Sequence, residues 1–251
     1  MINTKSFYLT DTGRVREHNE DSVTILKNMN GEYLLVVADG MGGHRKGEVA
    51  SALTVTHLGK RFTESASIGT KIDAVNWLSD NINEINREIL DYGEKNENSK
   101  GLGTTVVAAI VTKEFLIFAN IGDSSGYVMK NNKLHRVTKP HTLVNLLVDA
   151  GDLTEEQAKT HPKKNVLMKA LGAAEKAEPD IFDVDNGSTE VFLCSDGVTS
   201  LLNDDQIEKV LLETNLTVEE KVIKLIKKCN ARGGTDNISI AYLVRERDDL
   251  A

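Results

Sequence analysis

Two apolar runs, TVVAAIV at 105–111 and FLIFANI at 115–121, are separated only by Thr112, Lys113 and Glu114. Both are rich in β-branched residues and read as strands. Three residues can turn the chain back on itself. They cannot carry a helical crossover, which needs about a dozen residues or more. The two strands are therefore expected to pair antiparallel, and a continuous βαβ architecture is not expected. Further strand-like runs are YLLVVA (33–38), EVFLCS (190–195) and NISIAYLV (237–244), with FYLTD (7–11) as another. Much of the sheet structure should be antiparallel.

Helical periodicity is clearest over 71–92, where Ile72, Val75, Leu78, Ile82, Ile85 and Ile89 recur every three or four positions. A second helix is expected to begin near Gly47 and to carry Val49, Ala52, Leu53, Val55 and Leu58. A third covers 217–229, with Val218, Val222, Leu225 and Ile226 on one face. Its lysines 221, 224 and 228 are expected to form a solvated face. Residues 93–101 read as a polar loop. Residues 139–172 combine short helical pieces, Pro140, Pro162 and several charges, and are expected to form a flap. Irregular alternation of strands and long helices predicts sheets packed together with helices outside.

With 251 residues, 40% of them hydrophobic, the chain can bury the core of one large domain. Thirty Lys+Arg against 38 Asp+Glu leave a formal charge of −8, which offers nothing to nucleic acid or an anionic membrane. No window approaches the ~20 apolar residues that a membrane helix needs. The N-terminus lacks an apolar core of signal-peptide length. A cytoplasmic protein is expected. Cys194 lies in an apolar run and is expected to be a buried thiol.

Carboxylates gather at the mouths of these strands. Asp39 follows YLLVVA, Asp123 follows FLIFANIG, Asp196 follows EVFLCS, and Asp236 precedes NISIAYLV. Glu20 and Asp21 lie in REHNED, after the strand expected at 7–11. A single aspartate at a strand end is ordinarily a turn former that accepts from the following amides. Six such carboxylates would repel one another unless cations lay between them. The available donors are oxygens, with no cysteine or histidine cluster. That set suits magnesium, manganese or calcium and does not favour zinc. Asp39 could then bridge two ions, and a bare backbone at Gly40 would let its carbonyl approach as a ligand. The glycine-rich stretch GMGGHRKGE matches neither the P-loop nor the dinucleotide-binding pattern.

Taken in order, GRVREHNED, VVADGMGGH, GLGTT, NIGDS, LCSDGV and GGTDN resemble the signature segments of the type 2C metal-dependent serine/threonine protein phosphatases, in their compact bacterial form. The similarity runs from about residue 7 to 244. It implies an α+β fold in one catalytic domain over 1–251. That fold would be a four-layer α-β-β-α sandwich with two central, mainly antiparallel sheets flanked by helices, plus a flap at about 139–172. By the same resemblance Asp39 bridges two Mn2+ or Mg2+ ions. Glu20 and the Gly40 carbonyl complete one ion, and Asp196 and Asp236 hold the other. Asp123, with Asp196, forms a third and looser site. Asp21 orients a metal-bound water, and Arg16, five residues before it, holds the substrate phosphate.

The implied reaction is hydrolysis of phosphoserine or phosphothreonine on proteins by direct attack of the metal-bridging water. His44 or a metal-bound water would be the general acid. The implied partners are phosphoproteins, targets of a cognate bacterial serine/threonine kinase, and the enzyme is expected to be a monomer. Two positions depart from the family pattern. Ser125 stands where the segment usually reads GDSR, and Met41 stands where larger members carry a histidine. Three other readings bear comparison. A catalytically silent phosphoprotein-binding regulator is disfavoured because each carboxylate is present. A calcium-binding module would need a dense oxygen-ligand loop that is missing. A two-component receiver would need alternating βα units, against the hairpin at 105–121.

Overall fold

The computed structural model describes residues 5–42, 46–96, 99 and 101–245. One sheet contains, in spatial order, β1 (Lys5–Asp11), β11 (Ile238–Val244), β10 (Glu190–Cys194), β7 (Ser125–Lys130) and β8 (Lys133–Arg136). The other contains β2 (Asp21–Lys27), β3 (Tyr33–Met41), β5 (Val106–Val111), β6 (Leu116–Ile121) and β9 (Asp180–Val184), and the short β4 (Gly103–Thr104) adds to the end of β3. The pairings among these strands are antiparallel. The hairpin at 105–121 forms as expected, with Val106 opposite Ile121 and Val111 opposite Leu116.

Side chains alternate across each strand, and both faces are apolar. On β3, Leu35 and Val37 enter a core shared by the two sheets, with Phe118, Val128, Leu193 and Leu243. Leu34 and Val36 face the other way. They pack with Leu58 and Phe62 of α1 (Lys46–Glu64) and with Leu78, Ile82, Ile85 and Ile89 of α2 (Lys71–Lys95). The outer face of the first sheet, including Phe192, Ile240 and Tyr242, is covered by α5 (Asp196–Thr199), α6 (Asp204–Leu211) and α7 (Val218–Ala231). The result is the expected four-layer α-β-β-α sandwich. Cys194 is a buried free thiol, as expected.

Some local expectations are corrected. Ile72 was assigned to the buried stripe of α2 but is 72% exposed, and the stripe begins at Ala74 and Leu78. The reason is helical geometry: at about 100° per residue, Ile72 falls roughly 120° from the centre of the face carrying Ala74, Leu78, Ile82, Ile85 and Ile89. Of the three lysines expected on the solvated face of α7, Lys228 is exposed, but Lys221 and Lys224 are half-buried and engaged. Lys221 donates to the Leu211 carbonyl, and Lys224 pairs with Glu213 at 2.7 Å. Strands β2, β7 and β8 and helix α6 add to the expected elements. Segment 139–172 holds α3 (Leu143–Asp149) and α4 (Glu155–Thr160). Its two stems are joined by an isolated bridge between Thr142 and Leu167.

Candidate metal centre and active site

Asp39 lies within β3, directly opposite Asp21 at the start of β2. Like charges facing each other across a strand pair are destabilising, so the surroundings must hold them there. The GLGTT segment does much of that. The Asp39 N–H donates to Thr105 Oγ1 at 3.0 Å. The Thr104 hydroxyl and the Thr105 N–H both donate to the Asp39 carbonyl, each at 2.8 Å. Asp21 is held from the opposite sheet, where Ser195 Oγ donates to its Oδ2 at 2.7 Å. The other oxygen, Asp21 Oδ1, is buried and has no hydrogen-bond partner.

Asp196 opens α5, and Asp236 immediately precedes Asn237, the residue before β11. Gly197 lets these two segments touch, because a Cβ there would collide with the Asn237 carbonyl. Asn237 ties in the segment carrying Arg16 and Glu20. Its Nδ2 donates to the carbonyls of Thr12 and His18 at 2.9 and 3.0 Å, and its Oδ1 accepts the Glu20 N–H at 2.9 Å. The half-exposed Arg16 guanidinium donates to Asp236 Oδ2 at 2.8 Å, so Arg16 reaches the cluster from across the sequence. It also feels the charges of Asp39 and Glu20.

The bare backbone at Gly40 has a cause that the sequence reading missed. A Cβ on Gly40 would collide with the backbones of Gly47 and Glu20, and one on Gly47 would collide with Gly40. The glycines let the start of α1 pack against the tip of β3, whatever part the Gly40 carbonyl plays. Asp123 sits in the turn between β6 and β7, next to Ser124, whose hydroxyl shares a 2.8 Å hydrogen bond with Thr105. Ser125 accepts from Arg136 Nη2 at 3.0 Å, so the residue that stands in the family arginine's place is itself paired with a guanidinium from β8. His44 lies outside the described residues.

Asp21, Asp39, Asp123, Asp196 and Asp236 are close enough to perturb one another. Burial, reinforced by Asp196 and Asp236, pushes the Asp21 carboxyl up to about 7. Burial and Asp196 push Asp123 up to about 7 as well. Asp39 is raised well above the usual carboxylate range by burial, then by Asp21 and Asp196. Asp196 is raised by burial and by Asp236, and it stands within hydrogen-bonding reach of Asp39. Carboxylates this close cannot all ionise without a cation among them. Among the described residues no three acidic, histidine or cysteine side chains close onto one point as a finished cage. The fit to a hard divalent cation therefore rests on the all-oxygen donor set, the crowded charge and the unpartnered Asp21 Oδ1.

Sequence reasoning missed Ser195, Thr105 and Asn237. The Ser-Asp, Thr-Thr and Asp-Asn pairs adjoining the acidic residues or strand ends were the available signal.

A chain with this sandwich and this acidic edge falls in one class. The family model described as Protein phosphatase 2C matches residues 12–231, and the chain belongs to that metal-dependent family of serine/threonine phosphatases. It is 40% identical over 242 residues to the serine/threonine phosphatase stp of Listeria monocytogenes, covering 96% of this chain and 95% of that protein. It is 34% identical over 246 residues to protein phosphatase PhpP of Streptococcus pneumoniae, covering 96% and 97%. The solved S. agalactiae serine/threonine phosphatase superposes with a TM-score of 0.91 at 36% identity, over 97% of this chain and all of that one. The Staphylococcus aureus phosphatase Stp1 gives 0.89 at 35% identity, over 98% and 96%.

Proposed function

We propose that this acidic edge hydrolyses phosphoserine and phosphothreonine on proteins, in a single catalytic domain whose segment 139–172 acts as a flap. The observation that carries the reading is the convergence of Asp21, Asp39, Asp123, Asp196 and Asp236 from distant parts of the chain onto one edge, with Asp39 and Asp21 face to face. Asp39, Glu20 and the Gly40 carbonyl would hold one ion. Asp39, Asp196 and Asp236 would hold a second, and Asp123 with Asp196 a looser third. Bound Mn2+ or Mg2+ supplies positive charge opposite the phosphate and acidifies coordinated water, so that hydroxide is available near neutral pH.

The chain's own residues do the rest. Arg16 stands half exposed at the rim and offers a planar fork to two phosphate oxygens. Asp236 orients that fork. Asp21, held by Ser195, keeps one carboxylate oxygen free to accept a hydrogen bond and orient the attacking water. His44 is the candidate proton donor to the departing serine or threonine oxygen. Phosphoproteins made by a cognate serine/threonine kinase are the fitting substrates, for a monomeric cytoplasmic enzyme. No helix among the described residues is long and apolar enough to cross a membrane. The silent-regulator reading is not favoured, because the relatives named above are phosphatases.

The test is hydrolysis of a phosphothreonine peptide with Mn2+, with chelator, and after Mn2+ is restored. Turnover is expected only when the ion is present, and chelator-insensitive turnover would overturn the reading. Absence of turnover with any divalent ion would favour the regulator. Arg16→Lys keeps the charge but loses the two-pronged contact. It is expected to lower kcat/KM for the peptide by roughly 10–100-fold. Unchanged kinetics would reduce Arg16 to a partner of Asp236.

A further inference from the structure

His141 lies outside the acidic cluster, in the first stem of segment 139–172, and its ring is nearly buried. It meets the turn carrying Asp123 at two points. The His141 N–H donates to the Gly122 carbonyl at 2.9 Å, and the Gly122 N–H donates to His141 Nδ1 at 3.0 Å. An Nδ1 that accepts a backbone N–H carries no proton. The ring's proton is then on Nε2, which faces Asp180 Oδ2 at 3.0 Å. Asp180 is itself held by Lys169 at 3.2 Å. The second stem joins the same residue, since the Met168 N–H donates to the His141 carbonyl at 2.8 Å. One histidine thus ties together both stems of the segment, strand β9 and the Gly122–Asp123 turn.

The turn has little freedom on its other side. Gly122 has a φ of +105°, and a Cβ there would press on Thr105, the residue that accepts the Asp39 N–H. Beside it, Asn120 donates to the carbonyls of Gly122 and Lys139 at 3.2 and 3.3 Å. Asp123 is therefore placed between Thr105 and His141.

We infer that His141 is a positioning residue, which fixes the Gly122–Asp123 turn to the base of the flap so that the placement of Asp123 and that of the flap are linked. Asp180 faces the ring's Nε2 and holds the imidazole in this orientation. The inference rests on the reading of Asp123 as a cation ligand. Groups that orient ligands from behind commonly change metal affinity by ~10–100-fold when removed.

The experiment compares Mn2+ binding by calorimetry with amide hydrogen exchange in the full chain. The proteins are the native one, Asp123→Ala, His141→Leu, His141→Asn and His141→Gln. Asparagine can place its Oδ1 where Nδ1 stands, and glutamine cannot. His141→Leu is expected to weaken the loosest Mn2+ event by ~10-fold or more, and to speed exchange at Gly122 and across both flap stems. His141→Asn should restore much of both, and His141→Gln little. If Asp123→Ala leaves Mn2+ binding unchanged, the cation role of Asp123 fails and the inference falls with it. If Asp123→Ala weakens binding but His141→Leu does not, the site reading stands and the role of His141 is refuted. Equal behaviour of the asparagine and glutamine variants also refutes it. A second readout is the imidazole 15N spectrum. It should show the Nε2–H tautomer in the native protein. A native Nδ1–H tautomer would overturn the inference.

Discussion

Asp39→Ala should lower turnover of a phosphothreonine peptide by at least ~10²–10³-fold while raising the melting temperature of the metal-free protein. The two effects have one origin. Asp39 faces Asp21 across the β2–β3 pair and lies within hydrogen-bonding reach of Asp196. In the absence of cations that crowding costs stability, and on the proposed reading the same oxygens would hold the ions. Removing Asp39 relieves repulsion, and each kcal/mol relieved is worth about 2–4 °C in a domain of this size. The variant should also lose most of the Mn2+-induced rise in Tm that ligand linkage gives the native protein. Asp39→Asn keeps the side-chain shape and should behave similarly. Near-native turnover in either variant would remove Asp39 from the centre of the mechanism.

The stability of the metal-free protein should fall as pH rises from about 4 to about 7. Burial pushes Asp21 and Asp123 up to about 7 in the folded state. In the unfolded chain these groups titrate near 4. Between about 4 and 7 the folded state keeps protons that the unfolded state has released. Stability therefore declines through that window and the penalty is complete above about 7. For the buried Asp21 a shift of this size corresponds to on the order of 4 kcal/mol. On the proposed reading divalent cations would replace the protons as neutralising charge, so saturating Mn2+ should flatten or reverse the slope. Thermal melts across this range, with and without Mn2+, measure the effect. Parallel slopes would show that the ions do not neutralise these groups.

The sheets were legible where apolar runs were long and uninterrupted, as in β3, β5, β6, β10 and β11. They were less legible where polar residues break the run. The DSVTILK of β2 begins with an aspartate, so Asp21 was read as lying beyond a strand when it opens one. Strands β7 and β8 are joined through Asn131 and Asn132, both at positive φ, 53° and 59°. An Asn-Asn pair between short runs is a hairpin signal that could have been used. Helix α6 carries a reciprocal cap between Asn203 and Gln206, a cue equally visible in the sequence.

The acidic residues were legible as a group because strand mouths rarely carry so many unbalanced carboxylates. Their mutual arrangement was not. The Ser195–Asp21 contact, the bracing of Asp39 by Thr104 and Thr105, and the Arg16–Asp236 pair join segments up to 220 residues apart. No local pattern encodes such contacts. Gly40 shows the same limit. Its lack of a side chain was read as room for an ion, whereas the immediate constraint is the backbone of Gly47.

Anomalous diffraction from crystals of this protein grown in Mn2+ tests the central claim most directly. The account predicts manganese peaks within ligand distance of Asp39, with Asp196 and Asp236 among the ligands, and a further, weaker peak touching Asp123. Manganese bound elsewhere, or an acidic edge that binds none at concentrations supporting turnover, would contradict it.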